Sequence, residues 1–346
     1  MPKNLETWVR LPSGVLARRG RGDVTLPPLT DTFVIGETRP TKLNTGLPSG
    51  WVSEGTLNGH QVLTTPTTLY RQTIWGCVEA KVGGCKLIEC DVKGPQNWTD
   101  NKQALVLSSV PQGQTPFEIT RNRLVPTYPT HMMDGIKGHD FIATRNLVLN
   151  TVDGFGVFNT AAPGGAVNTQ LLGNYFDELG FYTQNALTAF YGTTTRAHPS
   201  DTKTHNDGGQ SQGGSGLILR GNWLGAFLSQ DPNVGRYDVS LPIYANAAFQ
   251  LNNNVGRTSN MVVDRNWMNG GAFMNNTSGA YVIDNFIGNW TGNRFGRNAA
   301  GGPTAPRALV FKTGSTRGTH WNESGNIWYA VGDALDNRPI TVYVNA

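Results

Sequence analysis

Ile119-Thr120-Arg121-Asn122-Arg123-Leu124 and Leu171-Leu172-Gly173-Asn174-Tyr175-Phe176 share one pattern. An apolar residue is followed by two variable residues, an asparagine, one variable residue and a second apolar residue. The pattern returns as Leu219-x-x-Asn222-x-Leu224, Val263-x-x-Asn266-x-Met268 and Val282-x-x-Asn285-x-Ile287, with looser versions at Asn146 and Asn326. Toward the N-terminus, Leu69-x-x-Gln72-x-Ile74 and Leu87-x-x-Cys90-x-Val92 carry another residue at the turn. From Gln72 onward the turn positions are 18, 32, 24, 28, 48, 44, 19 and 41 residues apart, and the largest intervals are near twice a period of 20–24. The interval from 174 to 222 then holds one coil with a long loop, or two coils.

A period of that size is the register of a parallel β-solenoid. Asparagine suits its turn because it tolerates a positive φ and can hydrogen-bond its neighbour in the next coil. The flanking apolar residues are expected to point inward and stack. Stretches such as 103–110 (QALVLSSV), 307–314 (RALVFKTG) and 340–344 (ITVYV) supply the β-branched and aromatic residues of short strands. No sustained 3.6-residue periodicity competes. The expected fold is all-β, a β-solenoid, with a sandwich or propeller as the alternative.

Composition agrees. The 346 residues include 43 Gly and 19 Pro, and only 15% are charged. Glycine at that density destabilises helix interiors by about 1 kcal/mol per site relative to alanine, which excludes a helical bundle. There is no Gly-X-Y period and no apolar run of the roughly 18 residues a membrane span needs. The opening residues lack the apolar core of a secretory signal, so a signal peptide is not expected. Net charge is +4, and Lys3, Arg10, Arg18, Arg19 and Arg21 concentrate it near the N-terminus. The body has no basic stripe, so nucleic acid is not an expected partner. Cys77, Cys85 and Cys90 fit no zinc spacing and read as buried free thiols. Residues 1–45 are proline-rich and read as an N-terminal attachment region, with the solenoid over 46–346 and a loop at 299–306.

Thr45-Gly46-Leu47-Pro48-Ser49-Gly50, the Gly76-Cys77-Val78 strand and the segment 204–225 (THNDGGQSQGGSGLILRGNWLG) carry a resemblance. They resemble the minor tail proteins of phages that infect actinobacteria, right-handed parallel β-helix proteins of the pectin-lyase-like kind. The likeness covers roughly residues 40–290, and Gly209 stands where that family usually has isoleucine. It implies a single-stranded right-handed parallel β-helix in a virion tail tip. The implied partners are other tail proteins and host cell-wall glycan. A virion protein made in the host cytoplasm is implied, in agreement with the missing signal, and a homo-oligomer is expected too, a trimer being usual for related fibres. The basic N-terminal arm would anchor the chain to a neighbouring tail protein.

Three Asp-Gly pairs precede strands: Asp134-Gly135, Asp153-Gly154 and Asp207-Gly208. On successive coils, about 4.8 Å apart, their carboxyls would lie about 5 Å from neighbours and roughly 10 Å end to end. Those separations span the retaining and inverting geometries of glycosidases. Clustering also raises carboxyl pKa values, as a general acid needs. Asp134, Asp153, Asp207 and His205 are therefore the catalytic candidates of a glycan depolymerase, with His139 a second possible proton shuttle. Stacked carboxylates would also suit Ca²⁺, while no other cofactor is implied. The plain alternative is that each aspartate caps its turn. Asn206-Asp207-Gly208 is similar to the N-x-D-G of polygalacturonases, but that family's paired aspartates, G-H-G and R-x-K do not follow in matching order. The excursion 181–203 carries aromatic and polar residues beside Asp207, so Tyr182, Tyr191, His198 and Asp201 are the candidates for ligand binding. A purely structural tail component, with neither activity nor ligand, is the third reading.

Overall fold

A computed structural model describes residues 32–96, 103–180, 182, 204, 206–229, 245–252, 254–271, 273–278, 288–296 and 321–329, with short strands at 8–10, 16–18, 310–311 and 344–345. Among these residues the chain is all-β, with no helix. The strands form three long parallel sheets of ten, ten and nine strands. Consecutive strands visit the three sheets in turn: Gly55–Asn58, Gln61–Leu63 and Thr68–Tyr70 open the first, second and third, and Gln72–Trp75 returns to the first. Trp8–Arg10 pairs antiparallel with Leu16–Arg18, a separate hairpin.

The repeat sets this register. The apolar residue after each turn position stacks on its counterpart, as in Ile74↔Val92↔Leu124↔Val148↔Phe176↔Leu224↔Met268↔Phe295. The apolar residue before each turn stacks likewise, from Leu69 through Leu87 and Ile119 to Leu171, Leu219 and Val263. Both columns are buried, in one continuous core. Aromatic rings thicken it, with Phe155 and Phe176 centroids 5.0 Å apart and Phe249 and Trp290 6.0 Å apart.

The asparagines form a ladder inside the turns. Asn122 Oδ1 accepts the Cys90 N–H at 2.8 Å, and Asn146 Oδ1 accepts both the N–H and the Nδ2–H of Asn122 at 2.9 Å. Asn174, Asn222, Asn266, Asn293 and Asn326 repeat the arrangement coil by coil. Each Nδ2 also donates to a core-strand carbonyl of the coil before, as Asn146 does to Ile119 O at 2.8 Å. Asn174 bonds Asn222 directly, so the 48-residue interval is a single coil. Two expectations need correction. The rung after Asn266 is Asn293, not Asn285, which lies outside the described residues. The positive φ belongs not to the ladder asparagine but to the residue before it: Arg121 (55°), Arg145 (55°), Gly173 (63°), Gly221 (65°) and Arg265 (50°). The asparagine's own contribution is its amide, which both accepts and donates.

Cys90 and Gln72 continue the column with poorer chemistry. Cys90 Sγ accepts the Gln72 N–H at 3.4 Å and faces Leu69 O at 3.4 Å, the carbonyl that an asparagine Nδ2 would take. All three cysteines are free and buried, as expected, and burial pushes the Cys90 thiol up to about 12.

Residues 33–46 cross the turn column. The Arg145 guanidinium carbon lies 4.3 Å from the Phe33 ring centroid, and Arg145 Nη2 donates to Asn44 O at 2.8 Å. Beside them the turn residues are Gly173 and Gly221, where a Cβ would stand 2.8 Å from the Phe33 ring and 2.3 Å from Gly36 N. The two glycines thus meet a positive φ and a close crossing at once.

Candidate functional site

The three aspartates stack as the spacing suggested. Asp134–His139, Phe155–Val157 and Gln210–Ser211 are neighbouring strands of the second sheet. Their register (Ile136↔Phe155, Gly156↔Gln210) puts Asp153 over Asp134 and Asp207 over Asp153. Asp207 in turn bridges to Ala247.

The glycine after each aspartate explains why the pair recurs. A Cβ at Gly135 would sit 2.3 Å from Gly154 O, one at Gly154 2.2 Å from Gly208 O, and one at Gly208 2.6 Å from Ala248 O. Any side chain would drive the coils apart there.

The carboxylates face backbone. Asp134 Oδ1 accepts the Asp153 N–H at 3.4 Å, and Asp153 Oδ1 accepts the Asp207 N–H at 2.8 Å. The other Asp134 oxygen takes Lys137 Nζ at 2.7 Å, and the other Asp153 oxygen takes Gln210 Nε2. Asp207 Oδ1 accepts from Asn246 Nδ2 at 2.9 Å. The three residues are 3–6% exposed. Burial raises all three carboxyl pKa values. It is the largest cause for Asp153, followed by the charges of Asp134 and Asp207, and that group lies well above the usual carboxylate range. Asp207 is pushed up to about 7, and Asp134 rises less freely because Lys137 opposes the shift. Burial works against the Lys137 charge, yet its pKa is raised, held up by Asp134 and Asp153.

The stack can therefore accept backbone N–H groups and hold protons near neutrality. Among the described residues, no group of three or more His, Cys, Asp and Glu side chains is placed to hold a metal ion.

Of the remaining candidates, the two that are described, Tyr182 and His139, do not join the stack. Tyr182 is 3% exposed, packed on Val152 with its ring 6.4 Å from that of His131, so it turns inward rather than toward a ligand. It exchanges hydrogen bonds with Thr204, which closes the base of the long excursion. His205, Tyr191, His198 and Asp201 lie outside the described residues, as does the predicted loop at 299–306. His139 ends the strand that Asp134 begins, about 16 Å along an extended chain, which is too far to serve the aspartates. Its Nδ1 lies 2.7 Å from Asp140 Oδ2 instead.

Sequence reasoning missed two features. One is Asp177, a buried carboxylate that accepts from Trp223 Nε1 at 2.8 Å and from the Glu178 N–H at 2.9 Å. Burial raises it to about 6. The other is a groove of about 590 Å³ on the second sheet, lined in part by Ser109, Lys137, His139 and Phe158. Its residues come from separate coils and share no motif, so only the register could reveal it.

No protein-family model matches the chain, and no curated protein matches it. Among the described residues no helix is long and apolar enough to cross a membrane.

Proposed function

We propose that the chain is a single-stranded right-handed parallel β-helix that serves as a structural, receptor-binding component of a phage tail tip and engages host cell-wall glycan. The three sheets visited in turn suit a rod-like solenoid, and the opening and 204–225 segments supply the resemblance to tail proteins of actinobacterial phages. The observation that carries binding over hydrolysis is the burial of the aspartate stack. Its oxygens are engaged by the amides and side chains of the neighbouring coils, whereas a glycosidase needs both carboxyls open to a scissile bond. The N-terminal region would hold the protein to its tail neighbours, as one subunit of a homo-oligomer.

A second reading, a glycan depolymerase, draws on one specific observation: Asp207 keeps its proton up to about 7, as a general acid would.

The test of the leading reading is adsorption. Fluorophore-labelled protein should bind intact actinobacterial cells saturably and lose that binding after periodate oxidation of the cell surface. Antibody to the protein should decorate the tail end of the virion. Absence of both cell binding and virion labelling contradicts the proposal.

A further inference from the structure

We propose that the groove beside Lys137 and Phe158 is a saccharide subsite that takes a neutral, hydroxyl-rich ring. The inference rests on the glycan-binding reading above and gives it a place that the sequence did not indicate. The groove is lined by the strands Ala104–Ser109 and Asp134–His139, by 110–112, and by 158–162. Its volume of about 590 Å³ lies within the range of small-ligand sites.

The lining combines an apolar plate with neutral hydrogen-bonding groups. Phe158 is half-buried and contributes an aromatic ring to the lining, the apolar surface that sugar C–H groups would meet. Ser109, Gln112, Thr160 and His139 supply donors and acceptors around it. The 158–162 wall is held in place, because buried Asn159 accepts the Ala161 and Ala162 N–H groups at 3.1 Å. A wall fixed before binding lowers the ordering cost of the complex. Next to it, Gly156 leaves space: a Cβ there would touch Lys137 Cγ at 3.7 Å and Phe158 Cε1 at 3.8 Å.

Charge selects the ligand class. Among the described residues no carboxylate lines the groove itself, the nearest being Glu79, which accepts from the lining Ser109 Oγ at 3.1 Å, and Lys137 is the lysine of the lining. That ammonium is already committed to Asp134 at 2.7 Å and sits 5.8 Å from the Phe158 ring centroid. An anionic ligand would have to compete with a buried carboxylate for it, at a desolvation cost, whereas a neutral sugar leaves the pair intact. His139 is held likewise by Asp140. The column continues in register from Lys137 through Gly156 to Gln210 and Gln250, of which Gly156 and Gln250 are buried, so the groove ends at the Lys137 coil. The groove therefore seats a single sugar residue.

The experiment titrates the whole protein with neutral arabinan and galactan hexasaccharides prepared from actinobacterial cell wall, and with oligogalacturonate as the acidic probe. Saturation-transfer NMR and calorimetry report binding. Phe158→Ala and Thr160→Trp are compared with the wild type, and unchanged melting temperatures establish that both fold. The expected result is binding of a neutral hexasaccharide, weakened roughly tenfold or more by Phe158→Ala and blocked by Thr160→Trp. No binding of either neutral probe, preference for the acidic one, or full affinity in both variants overturns the proposal. Wild-type adsorption to cells is measured in parallel. If adsorption persists in Thr160→Trp while oligosaccharide binding is unaffected, the groove is excluded and the adsorption reading stands. If the wild type fails to adsorb, that reading falls, while the titration still decides the groove.

Discussion

The asparagine column and the aspartate column are built on the same plan and reach different lengths. In both, a buried side-chain oxygen accepts a backbone N–H of an adjacent coil, and the register repeats it. The amide also donates, so each asparagine satisfies the carbonyls around it and passes the pattern on. Seven asparagine rungs follow one another among the described residues. A carboxylate only accepts. Stacked carboxylates repel, lose solvation and call for outside help, here Lys137, Gln210, Asn246 and protons near neutrality. That column stops after three rungs, and the next coil has Ala247. Side chains that give and take can propagate a ladder, while side chains that only take end one.

The comparison breaks first at Asn146. Asn146→Ala removes the amide that serves Asn122, Asn174 and Ile119 O, all inside the core. Unpaired buried groups cost about 1–3 kcal/mol each, so a loss of about 4 kcal/mol is expected in chemical denaturation. A loss below about 1 kcal/mol would mean that the coils hold register without the ladder.

The aspartate column should reveal itself through pH. The folded-state pKa of Asp207 is about 7 against an ordinary 3.8, and those of Asp153 and Asp134 are also raised. The folded state therefore binds these protons more tightly than the unfolded chain. Their stabilisation is full below about pH 4 and is lost as pH rises through about 7. Melting temperature should fall across that window, against the usual trend of acid denaturation. Asp153→Asn keeps an oxygen for the Asp207 N–H and removes the central charge. It should flatten the slope and stabilise the protein at pH 8 by about 2 kcal/mol, the scale of a relieved buried charge. A variant with an unchanged slope would place the titration elsewhere, Asp177 being the next buried carboxyl.

The smallest effect sharpens the other column. Cys90 occupies a rung without a strong acceptor or donor, facing the Gln72 N–H and Leu69 O at 3.4 Å. Cys90→Asn should extend the ladder by one coil and raise stability by about 1 kcal/mol, the net worth of a hydrogen bond. A loss of stability would show that the sulfur's packing outweighs its hydrogen bonding.

Much of the fold was legible because its repeat is written in side chains that touch their own copies. Ile119, Leu171 and Leu219 carry the pattern in sequence and stack in space. Asn293 is hard to read in the sequence because its flanking core residues are the large Trp290 and Phe295, whereas Val282 and Ile287 give Asn285 the aliphatic frame of the other rungs. The left-handed residue was assigned one position late because arginine disguises it. At Arg121, Arg145 and Arg265 the strain, about 1–2 kcal/mol each, is accepted for what the side chain does, as when Arg145 stacks on Phe33. The aspartate stack was read correctly in its spacing, but burial and backbone partners have no signature in spacing. Gly209 has a spatial reason. A Cβ there would lie 1.9 Å from the Phe155 ring one coil away, so the phenylalanine leaves no room for a side chain at 209. Neither that contact nor the groove at Phe158 can be seen without the register.

The most direct test incubates the protein and its Asp207→Asn variant with actinobacterial cell-wall polysaccharide and measures both reducing-sugar release and cell binding. If the aspartates serve the turns of a receptor-binding rod, neither protein releases sugar and both bind cells alike. Release by the wild type that disappears in Asp207→Asn would contradict this and make the stack the active site of a depolymerase.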